Sequence, residues 1–205
     1  MVALNRTLVS SVLVVALLAP GAPGAADDGW RTVTERNGVT LEKRPVADSR
    51  YFEYRARGHT TVAAAVAAQR IWSGIGDERS PPLKHRSVLR RGEDELVVYD
   101  QIHTPVVSDR DVTIRLRRVS DARTGAFEIQ FESTAELGPP PAAGYVRLPK
   151  VRGAWRIEPD PAGGANLAYL CYSEPGGAIP AFMVRGAQQD QTIDEFERVL
   201  NRVGR

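Results

Sequence analysis

A carboxylate in an apolar setting is the first candidate for chemistry in this sequence. Asp100 lies in the segment 95–103 (ELVVYDQIH). The predicted strand face that carries it is otherwise apolar, with Leu96, Val98 and Ile102. A carboxylate on an interior face needs a cationic or hydrogen-bonding partner, or it takes up a proton. We therefore consider Asp100 as half of a buried ion pair, as a contact for a ligand's polar group, or as an acid or base.

Established catalytic motifs are missing from the sequence. It contains no G-x-S-x-G, H-E-x-x-H, C-x-x-C or P-loop pattern. The histidines His59, His85 and His103 fall in different predicted elements and lack the spacing of a metal site. We therefore expect no catalytic residue, no metal site and no cofactor.

The composition is that of one ordinary globular domain with a nearly neutral charge balance. Of the 205 residues, 42% are hydrophobic and 25% are charged, which allows a sizeable core. Arg6 is the only charged residue among the first 26, so the remainder carries 26 basic and 25 acidic residues. This balance argues against nucleic acid as a partner. Cys171, the single cysteine, is expected to be a small buried residue.

The N-terminus has the pattern of a secretory signal peptide. After Arg6, residues 7–19 are largely apolar, and residues 20–26 (PGAPGAA) are small residues and prolines. We predict a signal peptide over residues 1–26, a domain over residues 27–205, and export to the periplasm or to the outside of the cell. An uncleaved anchor is the alternative, although the apolar run is shorter than the ~20 residues of a membrane span.

The spacing of apolar residues predicts two strands, a helix, five strands and a long final helix. The strands are expected at residues 39–45, 51–59, 95–103, 112–119, 126–133, 145–158 and 166–173. The first helix is expected over residues 60–72 with a threonine as N-cap, and Pro180 at the start of the last helix. Sequential strands with helices at the ends indicate an α+β fold, in which the last helix covers the concave face of a curved sheet.

Three short motifs occur along these elements. The first is a proline-containing turn followed by an alternating strand, residues 104–115 (TPVVSDRDVTIR). The second is residues 152–159 (RGAWRIEP), and the third is residues 174–180 (EPGGAIP), ahead of the last helix. In order and spacing they resemble motifs of START (StAR-related lipid transfer) domains, which belong to the helix-grip or Bet v 1-like superfamily. The resemblance covers roughly residues 28–204.

The resemblance implies a curved antiparallel sheet wrapped around a long C-terminal helix, with a hydrophobic cavity between them. It also implies an ion pair inside the cavity between Asp100 and a basic residue of the next strand. Arg115 matches that position, with Thr113 turned the same way. Simple alternation gives the opposite orientation, with apolar Ile114 inward and Arg115 outward. Both orientations stay open from the sequence, and a sheet with a covered outer face would satisfy both.

The candidate ligand contacts are the side chains expected to face this cavity. They are Asp100, Thr113, Arg115, Phe127, Ile129, Phe131, Trp155, Tyr169, Phe182, Gly186, Gln189 and Ile193. Apolar and aromatic side chains dominate such pockets, and a few polar groups orient the ligand.

The expected function is to bind, sequester or transfer a lipid or another hydrophobic molecule without chemistry. The protein is expected to be a monomer that contacts a membrane transiently. One alternative is an enzyme of the same superfamily, such as a cyclase or hydrolase, that uses Asp100 or His103 on a hydrophobic substrate. Another is a small interaction domain with a filled core and no cavity.

Overall fold

Ten β-strands and two α-helices make up the fold in the computed structural model, which describes residues 28–77, 79, 81–105 and 107–205, without the side chains of Ala181 and Phe182. The strands are β1 (Arg31–Arg36), β2 (Val39–Pro45), β3 (Phe52–Thr60), β4 (Leu83–Arg91), β5 (Glu95–Ile102), β6 (Asp109–Asp121), β7 (Ala126–Ser133), β8 (Tyr145–Arg147), β9 (Lys150–Pro159) and β10 (Ala165–Glu174). The helices are α1 (Ala64–Ile75) and α2 (Ala181–Val203), and a 3-10 turn covers Ala135–Leu137. The predicted signal peptide, residues 1–26, lies outside the described residues.

All ten strands belong to one sheet. Nine of them follow the order β1-β2-β3-β10-β9-β7-β6-β5-β4 with antiparallel neighbours, and β8 pairs in parallel with the start of β6. Residues of both helices share a single core cluster with the inward side chains of the sheet, so the helices cover the same face. The predicted α+β architecture, with sequential strands and a long final helix, is confirmed.

Helix α2 is held on the sheet by its apolar stripe. Ile193, Phe196, Val199 and Val203 are at most 2% exposed. The Phe196 ring stacks on Trp155 of β9, with a centroid distance of 5.6 Å and an interplanar angle of 15°. Burying a side chain of this size contributes about 1.5–3 kcal/mol, so these four residues account for much of the attachment of the helix.

Strands β1, β4 and β8 are not separate strands in the sequence prediction. The sequences of β1 (RTVTER) and β4 (LKHRSVLRR) are dominated by charged and polar residues, and two bulges interrupt the pairing of β4. Both are the edge strands of the nine-strand order, where exposed positions favour polar side chains. The predicted strand 145–158 is divided into β8 and β9 around Pro149, which lacks the N–H group that a strand ladder uses.

The predicted start of the first helix is wrong. Strand β3 continues through Thr60, which pairs with Ala165 of β10. Helix α1 therefore begins at Ala64, and its N-cap residue Ala63 makes no side-chain capping hydrogen bond. Pairing with a neighbouring strand has overridden the local preference of threonine for a helix N-cap.

Gly153, in the second motif, allows β9 and β10 to pack closely beneath an aromatic ring. A Cβ atom at this position would lie 2.0 Å from the Leu170 carbonyl oxygen and 2.4 Å from Phe131 Cζ. The backbone oxygen belongs to the neighbouring strand and cannot rotate away, so any side chain at residue 153 forces the two strands apart.

We predict that Gly153→Ala lowers the free energy of unfolding by about 1–3 kcal/mol, the usual cost of overpacking a core. Urea denaturation followed by circular dichroism measures the change. Gly186→Ala is the matched control, because no atom lies within 4 Å of a Cβ there, and alanine in a helix is favoured over glycine by roughly 0.5–1 kcal/mol. Equal stability of Gly153→Ala and the wild type would contradict the packing described here.

Candidate ligand-binding pocket

A pocket of about 260 Å³ lies between the sheet and α2. Its sheet wall consists of mainly apolar and aromatic side chains, among them Tyr54, Val98, Ile114, Leu116, Phe131, Val151, Trp155 and Tyr169. Its helix wall is largely polar and includes Gln188, Gln191, Thr192, Glu195, Arg198 and Arg202. One wall therefore offers apolar surface to a ligand, and the other offers hydrogen-bonding groups.

Aromatic stacking makes the sheet wall continuous. The Tyr169 ring centroid lies 4.6 Å from that of Trp155 and 5.8 Å from that of Phe131. Burial raises the pKa of the Tyr169 hydroxyl well above its usual value and the pKa of the neighbouring Cys171 thiol to about 11. Both groups are thus uncharged near neutral pH, so this aromatic part of the wall presents no charge to a ligand.

Asp100 reaches the pocket, and its partner is Arg86. The two residues face each other across the β4–β5 pair. Arg86 Nε donates to Asp100 Oδ1 at 2.6 Å and Nη2 donates to Oδ2 at 2.5 Å. The side chains are 12% and 4% exposed, respectively, and Arg86 Nη1 also donates to the Ile75 carbonyl oxygen at 2.5 Å. The bidentate bond neutralises a carboxylate that would otherwise be costly to bury.

The ion pair between Asp100 and Arg115 that the resemblance implies is not formed, because the two side chains lie on opposite faces of the sheet. Ile114 lines the pocket, and strand alternation turns Arg115 to the other face. There Arg115 forms an ion pair with Glu132, its cross-strand neighbour on β7. The hydrogen bond from Arg115 to Glu132 raises the pKa of the guanidinium. Simple alternation along β6 therefore predicts the orientation of Arg115 correctly.

Thr113 also lies on the outer face, yet it is only 1% exposed. The segment after β7 covers it: Thr134 N donates to the Thr113 carbonyl oxygen at 2.9 Å. Gly138 packs on its side chain so closely that a Cβ there would lie 1.7 Å from Thr113 Oγ1. The outer face is thus covered at this point, and the buried position of Thr113 does not make it a pocket residue.

The other predicted contacts whose side chains the structure describes, together with Asp100, fall into three groups. Asp100, Phe131, Trp155 and Tyr169 line the pocket. Phe127, Ile129 and Ile193 pack in the core instead. Gly186 is exposed and Gln189 is half-buried, and neither lines the pocket. The side chain of Phe182 lies outside the described part of the structure.

The helix residues that face the pocket form a polar stripe beside the apolar one. Gln188, Thr192, Glu195, Arg198 and Arg202 recur at spacings of three and four residues, the period of one helix face. Arg198 Nη2 donates to Glu195 Oε2 at 2.6 Å. The sequence prediction follows the apolar stripe, which packs on the sheet, and so misses these residues. The spacing of these residues by three and four positions could have identified them from the sequence. Arg86 could not be identified in this way, because it lies in an edge strand that carries no apolar pattern.

Arg110, from the first motif, fixes the segment that leads into α2. It is 4% exposed, and its Nε donates to the Pro175 carbonyl oxygen at 3.0 Å. Its Nη2 donates to the Gly176 carbonyl oxygen at 3.4 Å. The segment ahead of the covering helix is thereby attached to the beginning of β6.

Asp111, the next residue, fixes a segment on the outer face. It is fully buried and accepts hydrogen bonds from Arg147 Nε at 2.8 Å, Tyr99 Oη at 2.9 Å and Ala142 N at 2.9 Å. Burial alone would raise the pKa of Asp111, but the bonds from Arg147, Ala142 and Tyr99 outweigh it and lower the pKa below its usual value. The charged carboxylate thus holds the 142–147 segment in place.

His103 lies outside the pocket. Its side chain is 60% exposed, and Nδ1 is 3.0 Å from Asp109 Oδ1. Hydrogen bonds from Lys84 Nζ, at 2.7 Å, and from Thr104 N lower the pKa of Asp109 to about 2. Asp109 is therefore ionised near neutral pH and orients His103 at the surface.

Two features of the described residues bear on other functions. No group of three or more histidine, cysteine or acidic residues is arranged there to hold a metal ion. Neither of the two α-helices in that part of the chain is both long and apolar enough to cross a membrane.

The chain belongs to the START domain family, which it matches over residues 23–205. It is 25% identical over 192 residues to an uncharacterized protein of Pseudomonas aeruginosa, covering 91% of this chain and 92% of that one. It is 22% identical over 172 residues to the phosphatidylcholine transfer protein of Mus musculus, covering 82% of this chain and 80% of the relative.

Solved structures have the same fold. A STAR-related lipid transfer protein of Xanthomonas axonopodis (fragment 25–204) superposes with a TM-score of 0.76 at 22% identity, covering 87% of this chain and 100% of that one. Human STARD10 superposes with a TM-score of 0.71 at 18% identity, covering 85% of this chain and 73% of that one. The predicted helix-grip fold and the resemblance to START domains are confirmed.

We predict that Arg86→Met and Asp100→Asn each lower the free energy of unfolding by about 3–5 kcal/mol, because each leaves one buried group without its partner. The double variant Arg86→Met/Asp100→Leu removes both groups and recovers much of that loss. Urea denaturation of the four proteins tests this. Arg117→Met is the control: its ion pair with Glu95 lies at the surface, so little change is expected. Single variants as stable as the wild type would contradict a buried pair.

Proposed function

We propose that the chain binds one lipid or another small hydrophobic molecule in this pocket and sequesters or transfers it without chemical change. The observation that carries the proposal is the pocket of about 260 Å³ between a mainly apolar sheet wall and α2. Ligand sites in proteins usually measure roughly 300–1,000 Å³. With α2 in this position, the pocket therefore suits a single-chain or similarly small molecule. A domain with a filled core would have no such space.

The relatives support this proposal over an enzymatic one. Two of them are named as lipid transfer proteins, the mouse phosphatidylcholine transfer protein and the Xanthomonas axonopodis protein. The residues considered as acid or base fit catalysis poorly. Both carboxylate oxygens of Asp100 are engaged by Arg86, and His103 lies at the surface, paired with Asp109.

Binding in such a pocket depends on the burial of apolar ligand surface and on the movement of a segment that covers the pocket. Removing apolar ligand surface from water contributes about 25 cal/mol per Å², so affinity grows with the apolar area of the ligand. A ligand enters when part of this cover moves. We propose that the moving part is residues 175–180, which lead into α2. The loop of residues 138–144 is a poorer candidate for this movement, because Gly138 packs at Thr113 on the outer face. Arg110 holds the favoured segment closed through the Pro175 and Gly176 carbonyl groups.

We predict that Ile114→Trp abolishes binding by filling the pocket from its apolar wall. Native mass spectrometry of the purified protein, before and after incubation with lipid vesicles, measures the occupied fraction. Val119→Trp on the same strand is the matched control, because Val119 is 50% exposed. Circular dichroism establishes that both variants are folded. Equal lipid occupancy in the two variants, or none in the wild type, would overturn the proposal.

We also propose that the protein is exported, acts as a monomer and contacts a membrane transiently while loading its ligand. The sequence of residues 1–26 supports export, with its charged start, apolar run and small-residue exit. Exposed Met183, in the first turn of α2, supports the membrane contact, since it is 46% exposed beside the segment proposed to move.

Export predicts a new N-terminus. N-terminal sequencing of the protein recovered from its own cells is expected to begin at Asp27, after cleavage behind Ala26. An intact N-terminus in a membrane fraction would instead support an uncleaved anchor.

A further inference from the structure

We propose that the bound ligand is a single-chain amphiphile whose alkyl chain lies in the pocket and whose polar headgroup stays in solvent beside the middle of α2. The inference rests on the proposed binding function and narrows it to a class of ligand and an orientation. Its starting point is the difference in exposure between the two walls of the pocket.

The sheet wall is the deep side of the pocket. Val98, Phe131 and Trp155 line it, and they are 0%, 8% and 4% exposed, respectively. This side therefore favours a hydrocarbon chain, which gains by leaving water. The charged groups on the same side, Asp100 and Arg86, are bonded to each other at 2.5 Å. A headgroup placed here would lose its water and gain few partners, which is unfavourable.

The helix wall, in contrast, reaches the surface of the protein. Gln191 lines the pocket and is exposed. Glu195 and Arg198 belong to the same lining, and their side chains are 30% and 29% exposed. Gln191 and Arg198 are about two helical turns apart and so lie on the same side of α2, about 10 Å from each other along its axis. The pocket therefore opens to solvent along this flank of the helix.

A headgroup outside the pocket also agrees with the size of the pocket. Its volume of about 260 Å³ lies below the roughly 300–1,000 Å³ of usual ligand sites, and a headgroup in solvent takes up none of it. The Glu195–Arg198 pair, joined at 2.6 Å, presents one negative and one positive group at the opening. Pocket and opening together therefore select for a single chain and tolerate headgroups of different size and charge.

The first experiment compares two probes that share one alkyl chain, 1-dodecanol and dodecyl maltoside, the second used below the concentration at which it forms micelles. Binding to the delipidated full chain is followed by tryptophan fluorescence, because Trp155 lines the pocket. The wild type is expected to bind the two probes with affinities within about threefold of each other, since the chain that each probe buries is the same.

The second experiment locates the headgroup by its reaction with a thiol. N-dodecylmaleimide carries its reactive group at the head of the same chain, and mass spectrometry with peptide mapping identifies the alkylated cysteine. We expect alkylation of Gln191→Cys about tenfold faster than that of Asp190→Cys, because binding holds the reactive head beside residue 191. Asp190 is the matched control, since it is exposed but outside the lining. N-ethylmaleimide, which lacks the chain, corrects for the intrinsic reactivity of the two thiols.

Each outcome decides either the proposal or the function on which it rests. A larger difference between dodecanol and the maltoside means that the headgroup must be buried, and it overturns the proposal. Equal corrected rates at the two introduced thiols, or alkylation of Cys171 inside the pocket, also overturn it. Failure of both probes to bind, with lipid retained from vesicles, overturns the single-chain class and leaves the binding function standing. If no lipid is retained either, the binding function itself fails. The comparison of the two probes uses the wild type and does not depend on the folding of a variant.

Discussion

The contact of α2 with the sheet is the interaction on which the rest of the molecule depends. A curved sheet leaves one apolar face open to water, and only an element packed across it makes that face favourable. In the C-terminal half of the helix, the Phe196 ring stacks on Trp155 and covers part of this face. Between the polar stripe of the same helix and the sheet lies the pocket. One helix thus has two adjacent stripes with different roles: apolar residues attach it to the sheet, and polar residues line the pocket.

The sequence predicts the architecture well because its strongest signals are local. Alternation locates the central strands, and the glycine- and proline-rich motif before Pro180 locates the start of α2. Prediction fails at β1 and β4, where the strand is held by its partner and its residues are mainly polar. It also fails at Thr60, where pairing with Ala165 decides the structure. Strands β1 and β4 pair with the next strand along the chain, whereas the contact that decides the structure at Thr60 lies far away in the sequence.

The pocket is harder to predict than the fold, for a related reason. Burial of Asp100 follows from the apolar residues around it, but the identity of its partner depends on which strand lies alongside. That strand is β4, whose sequence gives no strand signal, so Arg86 cannot be identified in advance. On α2 the apolar residues give the clearer pattern, and the neighbouring polar stripe that lines the pocket is therefore missed. Aromatic Phe131, Trp155 and Tyr169 are predictable because their strands alternate regularly.

The adjacent charges of Arg110 and Asp111 help to set the pairing register of β6. They are neighbours on one strand and so point to opposite faces. On one face Arg110 donates to backbone carbonyl groups, and on the other Asp111 accepts from hydrogen-bond donors. A slip of β6 by one residue would move one of them into the place of the other. In one direction the carboxylate of Asp111 would meet the carbonyl oxygens of Pro175 and Gly176, and in the other direction the guanidinium of Arg110 would meet Arg147. Either contact is repulsive, so two adjacent opposite charges penalise a slip in both directions and leave the native pairing as the favoured one.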